Sequence, residues 1–430
     1  MVTLVTLPDP EEGGGLMSGV TPEKSPVIET SGFRQSGRFI LASLTSGHGL
    51  FHWFSQSLNF MLPEIRDTFG ISTGQVSYMA ATRELVSGIV AMPGGVFTDM
   101  VRRHWGLILA WCMAIFGLGW VVMGFSLIYP VVLVGMVLVA LSTALWHLPA
   151  IAAISRRFPE RRGTALSTHG VGGNIGDVIA MSITGFLLGF LGWQGLIKIY
   201  AIIPLFLAFV VFWSFRDIGR YNEITSDIVK PDLSRQLAQT RDLFKNPRLW
   251  GISLASGVRG MAFVSFMTFL PLYLNDELGL TGPSRGFYLM LPLLVGIPFT
   301  PLMGYLSDRI GRKLVLKPGM ILLGSLTFLL APFGQGLTMI MLLIGLGIFL
   351  NSDQPLLTSA ALETTGREVA AATLGFMSFT RMLLAAVAPP IGSIFYNISP
   401  DRVFIYIAVL FAIAIGILII TPIPKPQKNS

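Results

Sequence analysis

The chain has 430 residues, of which 52% are hydrophobic and only 12% charged, and a formal net charge of +7. So apolar a composition excludes an ordinary soluble domain and indicates a polytopic membrane protein. The single cysteine, Cys112, excludes an internal disulfide and a cysteine-based zinc site, and reads as lipid-facing or packing filler.

Residues 1–37 are rich in Pro, Gly, Glu and Ser and open on an acidic stretch, not on the basic region of a signal peptide, so they read as a disordered tail. Twelve apolar runs follow, each long enough to cross a bilayer: roughly 38–62, 74–98, 105–128, 130–154, 165–191, 193–215, 248–275, 284–306, 314–333, 337–360, 369–397 and 402–422. The longest connection, 216–247, divides them into bundles of six, 38–215 and 248–422, with a short tail at 423–430. Within that connection, 232–244 has the pattern of a short amphipathic surface helix or of a plain tether. Of the 30 Lys and Arg residues, 23 fall on the side that carries both termini and only Arg66, Arg285 and Arg402 on the other. The remaining four, Arg83, Lys198, Arg259 and Arg381, lie inside the runs. The positive-inside rule therefore predicts cytoplasmic termini in a cell membrane, and dispersed basic loops facing anionic lipid account for the charge without nucleic acid.

The charges inside the runs are selective. Runs 3, 6, 9 and 12 carry none near their middles, whereas the first holds His48 and His52, the second Arg83 and Glu84, and the fourth His147. The fifth holds His169 and Asp177, the seventh Arg259, the tenth Asp353 and the eleventh Arg381. A charge at the bilayer centre costs at least about 2.5–3.5 kcal/mol, so each needs a partner, an aqueous cavity or a substrate. His48 and His52, four apart, share a helix face with Asn59, and an imidazole pair suits proton coupling or an anionic ligand; the competing reading is hydrogen bonding to backbone or Ser/Thr of a neighbouring helix. No metal is assigned to the pair, because its helix supplies neither a cysteine nor a carboxylate ligand. Arg259 is the leading substrate contact, its guanidinium suited to a carboxylate, phosphonate or phosphate, with His52, His147 and Arg381 assisting; the alternative is a salt bridge to Asp353. Glu84, Asp177 and Asp353 are the proton-coupling candidates, with ion pairs to Arg83 or Arg381 as the competing reading. Arg83 and Glu84 point about 100 degrees apart and are expected to seek separate partners. The glycines of 170–176 read as close helix packing, not as a phosphate loop.

Two stretches repeat 209 residues apart, Gly304-Tyr-Leu-Ser-Asp308-Arg309-Ile-Gly-Arg312-Lys313 and Gly95-Val-Phe-Thr-Asp99-Met-Val-Arg-Arg103-His104. The first resembles the G-x-x-x-D-R-x-G-R-K motif of the major facilitator superfamily. The stretches 144–149, 161–167 and 171–176 are similar to its fosmidomycin-resistance branch, whose members are proton-coupled efflux carriers. The resemblance implies an all-α fold of two pseudo-symmetric six-helix bundles, in which helices 1, 4, 7 and 10 line a cavity. It also implies a cytoplasmic gate at Gly95, Asp99, Arg103, Gly304, Asp308, Arg309 and Arg312. The expected function is a proton-coupled secondary transporter of a small organic solute, an organic anion by preference, working as a monomer without a cofactor. Drug efflux and a non-transporting receptor are the alternatives, and no nucleophile, base and oxyanion set argues for an enzyme.

Overall fold

The computed structural model describes residues 33–158, 161–216, 218, 241, 243–365 and 369–423. Most of the expected N-terminal tail, the 232–244 amphipathic pattern up to residue 240 and the C-terminal tail from residue 424 lie outside them. The helices are α1 (Gly37–Phe60), α2 (Leu62–Phe69), α3 (Thr73–Met100), α4 (Trp105–Gly124), α5 (Tyr129–Arg157) and α6 (Arg162–Phe215). They continue with α7 (Pro247–Asp276), α8 (Gly282–Ile310), α9 (Arg312–Phe333), α10 (Gly336–Gly347), α11 (Asp353–Thr365), α12 (Ala370–Ile398) and α13 (Arg402–Ile420). Local signals set several boundaries: the Ser36 side chain accepts from the Phe39 N–H to cap α1, and Ser72 and Gln75 form a capping box on α3.

Eight of these helices are long and apolar enough to cross a bilayer. One of them, α6, crosses twice, because Gly192 at φ 61 turns the chain between two helical arms where the sequence predicts a break. With α1, α3 and the α10–α11 pair, which carry polar residues described below, the crossings among the described residues number twelve. One expectation is corrected, and of the two readings of Cys112 the burial selects packing. The tenth run is not one helix but is broken over 348–352, and Cys112 is 2% exposed, a packing residue that does not face lipid.

The glycines at 172, 173 and 176 seat α6 on α1. A Cβ at Gly172 would stand 2.4 Å from the Thr45 carbonyl oxygen, and one at Gly176 would stand 2.0 Å from that of Gly49. Gly170, by contrast, has open space around it. Gly176→Ala is therefore expected to force α1 and α6 apart and to destabilise the purified protein by about 1–3 kcal/mol, read as a lower thermal midpoint. Gly170→Ala should leave the midpoint unchanged; equal effects would refute the packing role.

The two halves meet tightly at the end away from the chain termini. At the far end, a Cβ at Gly286 of α8 would lie 2.6 Å from the Met181 carbonyl of α6, and the Ser182 hydroxyl donates to Met290 Sδ at 3.0 Å. Toward the terminal end, Gly163 and Gly170 on α6, Gly304 on α8 and Gly375 on α12 have nothing within 4 Å of a Cβ position.

Candidate functional site

Midway along the helices, α3 of the first half faces α12 of the second, with a Cβ at Gly88 lying 3.1 Å from Met382. Arg83 and Glu84 stand on one side of this seam and Arg381 on the other. The Arg83 side chain curls back, so that one guanidinium nitrogen lies 3.2 Å from Glu84 Oε1 while another donates to Asn59 Oδ1 at 3.2 Å. The expectation that these neighbours seek separate partners is thus half right: Arg83 has both an interhelical and an adjacent partner. Arg381 packs its stem over Gly260 of α7 and lies within electrostatic reach of Glu84, Arg83 and Arg259. It makes no hydrogen bond or ion pair with the described residues. Among the described residues the seam thus sets two arginines against one carboxylate.

Arg259 of α7 is already occupied. Its Nε donates to Asp353 Oδ2 at 2.6 Å and one terminal nitrogen lies 2.5 Å from Oδ1, a two-pronged pair between groups 4% and 0% exposed. The same terminal nitrogen donates to the Leu350 carbonyl at 2.5 Å, a group released by the break between α10 and α11. Asp353 Oδ1 also accepts from the Gln354 N–H at 2.7 Å, capping α11. The pair given as the alternative is the one formed, but it lies wholly within the second half and does not tie the halves together.

The imidazoles converge in the first half. The His48 ring lies 4.5 Å from that of His52, 4.9 Å from that of His147 and 4.3 Å from that of His169, centroid to centroid. His48 Nδ1 donates to the His169 carbonyl at 2.8 Å, His52 Nδ1 to Asp177 Oδ1 at 2.9 Å and His147 Nδ1 to the Thr143 carbonyl at 2.6 Å. Asp177 therefore pairs with His52, and not with Arg83 or Arg381.

The second copy of the repeated motif is a compact bracket within the second half. Arg312 lies 2.5 Å from Asp308 and 2.9 Å from Glu363 at the end of α11, while Arg309 sits 4.4 Å over the Tyr305 ring. Lys313 donates to the last carbonyls of α13, Ile419 at 2.9 Å and Thr421 at 2.8 Å. The intervening Gly311 adopts φ 108, unfavourable for other residues. The first copy has Arg102 at that place and turns instead through a 3-10 segment, Arg102–His104. Gly95 and Asp99 lie on the α3 backbone, with the Asp99 side chain outside the described set, and Arg103 is exposed.

The sequence reading missed the far-end clasp. Arg66 on α2 forms a two-pronged pair with Asp276 of α7 at 2.5 and 2.7 Å, and the Tyr396 hydroxyl donates to the same carboxylate at 2.7 Å. Hydrogen bonding to Asp276 holds the Arg66 guanidinium above its ordinary value. Arg285 of α8 is fully buried, ion-paired with Glu64 of α2 and stacked 4.5 Å over the Phe60 ring. Both pairs join the first half to the second.

The sequence model of the Major Facilitator Superfamily matches residues 44–389 and 274–430. A probable nitrate transporter of Staphylococcus epidermidis is 25% identical over 269 residues, 62% of this chain and 66% of that protein, so the match spans just under two thirds of that relative. The nitrite extrusion protein of Bacillus subtilis is 22% identical over 82% of this chain and 93% of its own length. Among solved structures, a bacterial homolog of the human lysosomal transporter Spinster, captured inward-facing and unoccupied, superposes with a TM-score of 0.77 at 16% identity, covering 91% of this chain and 98% of the other. By a family match that runs from the middle of α1 to the last residue, and by a twelve-crossing fold of that kind, the chain belongs to the Major Facilitator Superfamily.

Proposed function

We propose that this chain is a secondary transporter that carries a small anion by alternating access, coupled to protons. The observation that carries the reading is the charge set at the seam, Arg83 and Arg381 from opposite halves with Glu84 as their one carboxylate. An anion seated between the two guanidiniums neutralises the excess charge and draws the halves together, which is the differential contact that alternating access requires. The relatives named for nitrate and nitrite support a small anion. A small organic carboxylate has the same planar, charge-delocalised oxygens and fits the same fork.

Glu84 supplies the coupling. Its ionised carboxylate competes with the anion for Arg83; a proton on Glu84 releases that guanidinium, so proton and anion are taken up together. The sign follows: transport rises as the pH on the loading side falls. Given the excess of basic residues on the terminal side, we place both termini on the cytoplasmic side of a cell membrane.

Flux in proteoliposomes tests the reading, with nitrate, nitrite and small carboxylates offered under an imposed pH gradient. Arg381→Gln is expected to lower counterflow by about a hundredfold, the equivalent of a lost charged contact worth about 2–3 kcal/mol. Glu84→Gln should retain counterflow and lose its dependence on pH. Undiminished flux in Arg381→Gln would overturn the seam as the binding site, and absence of flux for the whole panel in wild-type protein would favour a receptor.

A further inference from the structure

Four of the five histidines of this chain lie together in the first half, drawn from three helices: His48 and His52 from α1, His147 from α5 and His169 from α6. In three of them Nδ1 is bonded to an oxygen that only accepts: the His169 carbonyl, the Asp177 carboxylate and the Thr143 carbonyl. Each neutral ring must therefore carry its hydrogen on Nδ1 and present a bare Nε2 lone pair. Ligating histidines are oriented in this way, by donation of the second ring nitrogen to a carboxylate or a carbonyl. One ring nitrogen from each of His48, His52 and His147 lies within 4.8 Å of the other two.

We propose that His48, His52 and His147 form a binding site for a borderline divalent transition-metal ion, Zn2+ foremost, between α1 and α5 of the first half. The sequence offered only the i, i+4 pair on one helix, with no third ligand in view; the fold supplies that ligand from α5. Zinc–nitrogen bonds of about 2.0–2.1 Å need the three nitrogens to close to roughly 3.4 Å, a movement of an ångström or so within reach of side-chain rotation. The donor set favours the borderline ions over Mg2+ or Ca2+, which take oxygen ligands. His52 keeps 34% of its side chain exposed, so the protein does not close the site on that side and leaves room for a fourth ligand.

Two further observations fit a ligand and not a filled core. His169 is 3% exposed and stacks on His48, yet neither of its ring nitrogens makes a well-formed hydrogen bond with a described residue, the Leu44 carbonyl being only loosely disposed toward it. It stands as a spare imidazole beside the trio. Gly173 leaves the room the pair needs, for a Cβ there would press on His48 Cε1 at 2.9 Å and on His52 Cδ2 at 3.2 Å. All three ligands belong to the first half, so the ion braces α1 against α5 and does not lock the halves to each other. The site is independent of the transport reading, and its test does not use flux.

The full chain, purified in detergent through an affinity tag free of histidine, is dialysed against buffered Zn2+, and its metal content is measured. One Zn2+ per chain is expected, and Co2+ in its place should give the intense visible absorption of a four-coordinate nitrogen site. His52→Gln and His147→Gln should each weaken binding by about a hundredfold or more, and Asp177→Asn, which only orients His52, by about tenfold to a hundredfold. The Co2+ spectrum of the wild-type protein decides the matter even if a variant fails to fold. Substoichiometric metal, a six-coordinate Co2+ spectrum, or unchanged binding in both histidine variants would overturn the proposal.

Discussion

Glu64→Gln is expected to release the far face and shift the population toward an outward-open state by about a hundredfold. Arg285 is completely buried and takes its countercharge from Glu64 of the other half. Removal of one partner of such a pair costs about 3–5 kcal/mol, because a buried charge is left uncompensated. The quarter of Glu64 that remains exposed puts the effect at the lower end of that range, still sufficient for a population change of about two orders of magnitude. The outward-open state does not bear this cost, since separation of the halves exposes Arg285 to water. Spin labels at Asp67→Cys on α2 and Ser284→Cys on α8, both exposed positions, report the opening as a distance distribution, and the buried Cys112 will not compete for label. A distribution dominated by a longer distance in Glu64→Gln is the expected result. An unchanged distribution in folded protein would show that the clasp does not set the conformational balance.

The fold was legible because hydropathy and positive charge act over single helices. Twelve runs, their order and the break at Gly192 follow from composition along the chain. The site was legible in part, for a different reason. Helical periodicity places His48 and His52 on one face. It says nothing of His169, which arrives because glycines at 172 and 176 let α6 lie against α1, nor of His147, which comes in on α5 where Gly47 of α1 leaves room for Trp146. The clasp was invisible for the same reason: Arg66 and Asp276 are 210 residues apart, Arg285 and Glu64 221 apart, and in the sequence both arginines counted merely as the sparse charge of the far side. The broken tenth helix, by contrast, did carry a local signal. Ser352-Asp353-Gln354-Pro355 has the character of a helix start, with capping residues followed by an early proline, and a continuous apolar run concealed it.

Arg259→Ala is expected to abolish transport, and its cause separates two roles for this arginine. As a substrate contact, Arg259 would be lost with little effect on folding. As the partner of Asp353, its loss leaves a carboxylate at 0% exposure and the freed Leu350 carbonyl without a donor, at a cost of about 3–5 kcal/mol. The latter is expected, because both prongs of the guanidinium are engaged and the carboxylate caps α11. Thermal unfolding in detergent should therefore show a marked fall in midpoint for Arg259→Ala and for Asp353→Ala alone. The double variant Arg259→Met with Asp353→Leu removes both charges and replaces them with apolar volume, which in buried pairs is often neutral or better. Recovery of stability in the double variant, together with anion binding that still depends on Arg381, would assign Arg259 to the architecture of the broken helix. Recovery of stability without recovery of binding would return it to the substrate.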